Sequence, residues 1–268
     1  MAPFNPNTAK YDPGNAYWLG KAAELAYQSA DKIKTGVTGW GFPKFRMLDR
    51  ENTQGFVAGN SEMIILAFRG TEPKRLADWM TDAEAGFVDG PFGKVHQGFW
   101  RALCSVWDDL QSSIAEFQDR GQSLLVTGHS LGAALATLAV ARFRAQPSDK
   151  PVNGLYTFGQ PRTGDRNFAR NFDADFDACS FRFVNNNDMV TRVPLRLTGY
   201  SHIGTFLYFD ANGRLSDDLG AWNRFLDSVK GSIEDLGKLG PDGIRDHSMT
   251  HGYLPNLEKN LAVNPLER

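Results

Sequence analysis

The stretch from Leu124 to Ala141 limits the possible folds more than any other part of the chain. Leu124-Leu125-Val126-Thr127 has the makeup of a buried strand. It runs without a spacer into Gly128-His129-Ser130-Leu131-Gly132 and then into an alanine-rich helix. A strand that turns so abruptly into a helix strains the backbone of the corner residue. Small flanking residues, here Gly128 and Gly132, let neighbouring segments pass it. The corner residue is Ser130, so its hydroxyl stands at a helix N-terminus that favours negative charge. The amide of Leu131 then points to where an oxyanion would develop. The G-x-S-x-G pattern alone also arises in ordinary glycine-rich turns. The strand before it and the helix after it give it meaning.

The rest of the chain repeats the alternation of strand and helix. Tyr11 to Gln28 reads as a helix, with Asp12 as cap, Pro13 in the first turn, and Ala16, Leu19, Ala22, Ala23 and Ala26 at helical spacing. Phe42 to Asp49, Gly55 to Gly59 and Met63 to Phe68 read as strands, the last apolar on both faces as in a covered central strand. A long amphipathic helix spans Phe99 to Phe117, and the helix after Ser130 runs to about Ala145. Strands are expected at Ser123 to Thr127, Gly154 to Phe158, Phe181 to Val184 and Gly204 to Phe209. Helices are expected at Arg166 to Asp177 and from Leu219 to Leu236. The expectation is an α/β fold: a mostly parallel central sheet covered by helices on both faces, with the early strands antiparallel at one edge. No linker-like segment or internal repeat interrupts the 268 residues, so residues 1–268 read as a single domain.

Composition excludes several function classes. With 29 basic and 31 acidic residues and no basic cluster, nucleic-acid binding has no electrostatic support. The longest apolar-rich stretch, Leu131 to Phe143, is broken by Thr137 and Arg142. It falls short of the roughly 20 residues that span a bilayer, so no transmembrane segment is expected. Met1 to Tyr11 lacks the features of a cleavable signal peptide, and the expected location is cytoplasmic or reached by a signal-independent route. Cys104 and Cys179 read as two buried free thiols.

A serine hydroxyl needs a base, and the base needs an orienting carboxylate. In folds of this kind the order along the chain is Ser, then acid, then His. Asp165 and Asp188 are the acids to weigh. Asp188 follows a strand in Asn185-Asn186-Asn187-Asp188, where sites form at the carboxyl ends of parallel strands; Asp165 equally suits a helix cap. His202, His247 and His251 all satisfy the order, and position favours His247. His247 and His251 stand four residues apart, a spacing that zinc sites use, but no third ligand and no H-E-x-x-H accompanies them. No metal or cofactor is expected.

Several segments together resemble the fungal-type, class 3 lipase family. They are Phe68-Arg69-Gly70-Thr71, Asp78-Trp79, Val95-His96-Gln97-Gly98-Phe99, Gly128 to Gly132, Thr157-Phe158-Gly159-Gln160-Pro161-Arg162, Asn187-Asp188-Met189-Val190 and Asp246-His247, in family order. The opening Tyr11 to Trp18 is similar to bacterial members. The resemblance implies an α/β-hydrolase fold with a short helical lid at about residues 72–90, in which Leu76, Trp79 and Met80 would meet substrate or lipid. It implies Ser130 as nucleophile, Asp188 as acid and His247 as base, with Thr71 and Leu131 giving the oxyanion-hole amides. His96 and His202 would be structural. The implied function is a serine esterase, in particular a triacylglycerol lipase acting on acylglycerol or other lipid esters at a transient lipid–water interface. The same scaffold also carries short-chain or feruloyl-type esterases and phospholipases, and a silent lipase-like binding protein is a further alternative. The interval from His247 to Tyr253 is one residue longer than the bacterial pattern, which keeps His251 in view as the base. Fungal members are secreted and disulfide-bonded, a feature this cysteine-poor chain does not share.

Overall fold

A computed structural model describes residues 3–71, 86–146, 152–217, Gly220 and 241–267. Among them, β1 (Lys44–Arg50), β2 (Thr53–Gly59), β3 (Met63–Phe68), β6 (Ser123–His129), β7 (Val152–Phe158), β9 (Ser180–Asn185), β11 (Thr205–Phe209) and β12 (Leu215–Ser216) form one sheet, in that spatial order. From β3 through β11 all neighbours are parallel. The pairs β1–β2, β2–β3 and β11–β12 are antiparallel. The antiparallel edge expected for the early strands is present.

The sheet is buried on both faces, and β3 makes the reason legible. Ile64, Leu66 and Phe68 enter one apolar cluster, while Met63, Ile65 and Ala67 enter the other. A strand covered on both sides has no polar face, so its sequence shows a continuous apolar run. The first cluster lies beneath the helices α3 (Gln97–Phe117) and α4 (Leu131–Arg144). The second lies beneath α1 (Pro13–Leu25) and α2 (Ala30–Gly39). Helix α1 starts at the expected cap, where Asp12 Oδ1 accepts from the Asn15 amide at 2.8 Å. Helix α4 is buried from Leu131 through Ala141, which its small residues permit.

A second, smaller sheet joins β10 (Tyr200–Ser201), β8 (Gly164–Asp165), β5 (Lys94–His96) and β4 (Phe87–Asp89), all antiparallel. The sequence reading missed it because its strands are two or three residues long. β4 occupies the end of the segment expected as the lid. Leu76, Trp79 and Met80, with the rest of residues 72–85, and most of the helix expected from Leu219 to Leu236 lie outside the described residues. Helix α2 was also missed. Its Gly36, Gly39, Thr35 and Thr38 are poor helix formers, and only Ile33 and Val37 are buried.

The reading of both cysteines as buried needs correction: Cys179 is buried and Cys104 is exposed, and both are free thiols. Leu103, Val106, Trp107 and Leu110 face the core from α3, which turns Cys104 outward with Arg101 and Asp108. No helix among the described residues is long and apolar enough to cross a membrane.

Candidate active site

Ser130 sits between β6 and α4 with φ 58° and ψ −128°, a left-handed backbone that costs a non-glycine residue energy. Its surroundings leave no alternative. The Ser130 amide donates to the Phe158 carbonyl at 2.9 Å, and the Ser130 carbonyl accepts from the Ala133 amide at 3.0 Å. A Cβ at Gly128 would fall on the backbone of Gly132 and Ala133. One at Gly132 would fall on the backbone of Phe68 and Arg69. Both glycines are therefore demanded by backbone crossing backbone. Asp12, His96 and Asp165 use their side chains to cap helices; Ser130, at the head of α4, does not. Its Oγ is buried and has no hydrogen-bond partner among the described residues.

Thr71 follows β3 directly. Gly70 brings that segment over the corner, where a Cβ would meet the Tyr27 hydroxyl, the His129 carbonyl and, at 3.0 Å, Ser130 Cβ. Thr71 and Leu131 share the wall of a cavity of about 220 Å³ with Arg69, Gly70 and Leu135. Thus the sequence from Arg69 to Thr71 and the start of α4 converge on one place.

Asp188 and His247, 59 residues apart, are brought into contact. His247 Nδ1 lies 2.9 Å from each carboxylate oxygen of Asp188. Since a carboxylate only accepts, Nδ1 carries a proton, and in the neutral ring Nε2 then presents a lone pair. Nε2 is buried and, like Ser130 Oγ, has no partner among the described residues. Asp188 also accepts from the Val190 amide at 3.0 Å and from the Tyr253 hydroxyl at 2.5 Å. Burial would raise the Asp188 carboxyl. The charge of His247 and the hydrogen bonds from His247 and Tyr253 outweigh it, so the group stays ionised below its ordinary range. Burial, then the Asp188 charge, push the Tyr253 phenol well up, which keeps it a donor.

The segments carrying these two residues are tied together by the asparagine run. Asn185 Nδ2 donates to the Asp246 carbonyl at 2.8 Å. Asn186 Nδ2 and the Asn187 amide donate to the Asp246 carboxylate at 3.0 and 3.1 Å. His247 closes the helix α6 (Pro241–His247). A π-turn over Met249–Tyr253 then leads into α7 (Leu254–Lys259). That turn carries Tyr253 back to Asp188 across the long interval after His247. Gly252 is needed in it, because a Cβ would meet the Asp246 and Arg245 carbonyls at 2.7 and 2.8 Å. Gly159, with φ 60°, passes so near Asp188 and His247 that a Cβ would lie 2.8 Å from the carboxylate and 3.0 Å from the ring.

The other sequence candidates lie elsewhere. Asp165 caps the helix α5 (Arg166–Phe176), accepting from the Phe168 amide at 2.7 Å. His251 is exposed and lines a different cavity, of about 550 Å³, with Asn186, Asp210, Asp246 and Lys259. That cavity is polar, and neither Ser130 nor His247 is in its wall. His96 caps α3 through Nδ1 and stacks on Phe99 at 4.0 Å; burial pushes it down to about 4. His202 is half-buried near Arg182 and Arg162. Burial and those charges hold it well below the ordinary histidine range. The sequence reading missed Tyr253, Gly159 and His129 as contributors to this region. Asp188 and the elbow were visible as motifs, but these three act through contacts between distant segments. His129 Nε2 lies 2.6 Å from the His247 carbonyl.

A mostly parallel sheet covered on both faces, with a serine at a strained strand-to-helix corner and an Asp–His pair from later segments, defines an α/β-hydrolase. The sequence model of the class 3 lipase family matches residues 65–198. The chain belongs to that family. It is 36% identical over 163 residues to the secreted mono- and diacylglycerol lipase A of Penicillium cyclopium, covering 57% of this chain and 50% of the relative. It is 30% identical over 249 residues to the triacylglycerol lipase OBL1 of Arabidopsis thaliana, covering 71% of this chain and 48% of the relative. The chain thus spans about half the length of the curated relatives it matches. A fungal lipase structure superposes with a TM-score of 0.68 at 23% identity, covering 91% of this chain and 95% of that one, and bears on the fold alone. A triacylglycerol lipase described as having a serine protease triad at its catalytic centre superposes with a TM-score of 0.60 at 26% identity. It covers 75% of this chain and 81% of that one.

Proposed function

We propose that the chain is a serine ester hydrolase that cleaves acylglycerol-type esters through an acyl-enzyme on Ser130. The observation that carries this reading is a pair of buried groups with no hydrogen-bond partner among the described residues: the Ser130 hydroxyl at a strained helix head, and Nε2 of His247, whose ring is oriented by the buried Asp188 carboxylate. The His247 ring lies 4.4 Å, centroid to centroid, from that of His129, the residue before Ser130. In this reading His247 Nε2 takes the Ser130 Oγ proton as Oγ attacks the ester carbonyl carbon. The amides of Leu131 and Thr71 donate to the resulting oxyanion, each worth about 3–4 kcal/mol in comparable sites. The bond to the alcohol oxygen breaks, and that oxygen leaves with the proton from His247. Water then attacks the acyl carbon, gives its proton to His247, and expels Ser130 Oγ, which takes the proton back. Asp188 stays ionised throughout, holds the ring and offsets the charge of the imidazolium.

The relatives' named substrates, mono-, di- and triacylglycerols, support the choice of ester. Ser130→Ala is expected to lower kcat by on the order of 10³-fold or more on p-nitrophenyl esters, with the melting temperature unchanged within a few degrees. Activity near wild type in that variant overturns the reading. An acyl-chain series from two carbons to long chains, below and above substrate solubility, tests the substrate class. Preference for long chains, with a rise once an interface forms, supports an acylglycerol lipase. Activity confined to short soluble esters makes the chain an esterase on the same scaffold.

A further inference from the structure

We propose that His129 and Tyr27 are positioning residues that hold the base-bearing loop, the nucleophile strand and the segment leading to Thr71 in one register. The proposal rests on the reading of Ser130 and His247 given above. His129 is the variable residue of the G-x-S-x-G pattern, yet its side chain is 5% exposed and is the meeting point of distant segments. Its Nε2 lies 2.6 Å from the backbone carbonyl of His247, and its Nδ1 lies 2.7 Å from the Tyr27 hydroxyl. A carbonyl only accepts, so Nε2 carries the hydrogen. In the neutral ring Nδ1 is then a lone pair, and the Tyr27 hydroxyl donates to it. Burial first, and the charge of His247 second, push His129 down to about 3, which keeps the ring neutral and this polarity fixed.

The consequence is directional. A backbone carbonyl at the base fixes where the whole His247 residue sits relative to β6, the strand that leads into Ser130. Asp188 fixes only how its ring is turned. Tyr27 follows the C-cap of α1, Ala26, and extends the contact outward. The Arg69 guanidinium lies 5.6 Å over its ring, and Gly70 passes its hydroxyl so closely that a Cβ could not be accommodated. The Arg69 side chain is itself hydrogen-bonded to Gln54 on β2. Arg69 and Gly70, the end of β6 and His247, which approach from three parts of the sequence, therefore meet at two side chains. The aromatic pair is not an apolar filler, since both its polar ends are spent on named partners.

The test is steady-state kinetics on a short soluble p-nitrophenyl ester with the full chain and the variants Tyr27→Phe, His129→Phe, His129→Gln and the double Tyr27→Phe/His129→Phe. Active-site titration with a fluorophosphonate and a melting curve accompany each. Tyr27→Phe is expected to lower kcat about fivefold and His129→Phe about fiftyfold, with KM within about twofold in both. The double variant is expected to match His129→Phe, because Tyr27 acts through His129. His129→Gln, whose amide has both a donor and an acceptor, is expected to recover most of the loss. Unchanged kcat per titrated site, with only the melting temperature lowered, overturns the proposal and leaves a structural pair. Losses that multiply in the double variant also overturn it. Should His129→Phe fail to fold, Tyr27→Phe and His129→Gln still decide. Failure of the wild-type chain to be labelled at Ser130 overturns the underlying reading instead, and so separates the two failures.

Discussion

At the Ser130 corner the constraints are backbone against backbone. Gly128 and Gly132 let β6, α4 and the Phe68–Arg69 segment cross without side chains between them, and the serine hydroxyl has no hydrogen-bond partner among the described residues. At the Asp188–His247 corner the constraints are side chains. Asn185, Asn186, Asp246 and Tyr253 supply the contacts, over separations of about 60 residues. The first kind of constraint is local and written in five consecutive residues. The second is assembled only when β9, α6 and the π-turn have come together. The first should therefore fail through folding, and the second through chemistry.

The largest expected effect is on the second corner. Asp188→Asn preserves volume but places an amide where His247 needs an acceptor, which favours the wrong tautomer. A fall in kcat on the order of 10³–10⁴-fold is expected, with KM little changed. A fall of less than tenfold would mean that the carboxylate does not orient the base. At the first corner, Gly128→Val drives a side chain into the backbone of Gly132 and Ala133. A loss of about 3 kcal/mol or more is expected, lowering the melting temperature by about 6–12 °C or preventing folding. A folded, wild-type-stable Gly128→Val would break the contrast, since backbone packing would then not be what holds Ser130. A smaller effect is expected of Asp246→Ala, which removes the acceptor for Asn186 Nδ2 and the Asn187 amide. A drop in kcat of about tenfold, roughly 1.4 kcal/mol, is expected with a modest loss of stability. Equal kcat at full stability would show that the asparagine run merely decorates the loop.

The same contrast explains what could be read from the sequence. The covered β3, the amphipathic α3 and the Gly128–Gly132 turn were legible because periodicity and close glycines are local signals. Asp188 was legible as a loop residue after a strand, and its approach to His247 is a fact of the fold. Three features had no local signal. The π-turn that accommodates the long His247–Tyr253 interval depends on Gly252 passing under the Arg245 and Asp246 carbonyls. Tyr253 entered the sequence reading only as the end of the interval from His247. His129 stood at a position the motif leaves open, and its partners lie 102 and 118 residues away. Cys104 shows the converse limit. Its residue type argued for burial, and the helical position decided otherwise.

The smallest effect comes from two buried histidines, His129 beside Ser130 and His96 away from both corners, and appears as a pH dependence of stability. Burial holds His129 at about 3 and His96 at about 4, against an ordinary histidine value of 6.5. Above about pH 6.5 these rings are neutral in the folded and unfolded chain alike, so they add nothing. As the pH falls below that value, the unfolded chain takes up protons that the folded chain refuses, and stability is lost. Each ring contributes up to about 1.4 kcal/mol per pH unit, and the loss levels off only near its own folded value. Urea unfolding at pH 7, 6 and 5 should therefore give a midpoint that falls progressively with acid. His96→Asn keeps an acceptor for the Phe99 amide and removes the titrating ring. It is expected to be less stable than wild type at pH 7 and to lose less stability between pH 7 and 5. His96 lies outside the hydrogen-bonded group around Asp188, so the change should leave the kcat ratio between pH 7 and 6 untouched. A parallel pH slope in wild type and His96→Asn would mean that His96 accepts a proton while folded. The acid sensitivity would then belong to His129 and His202, whose rings are also held below the ordinary histidine range.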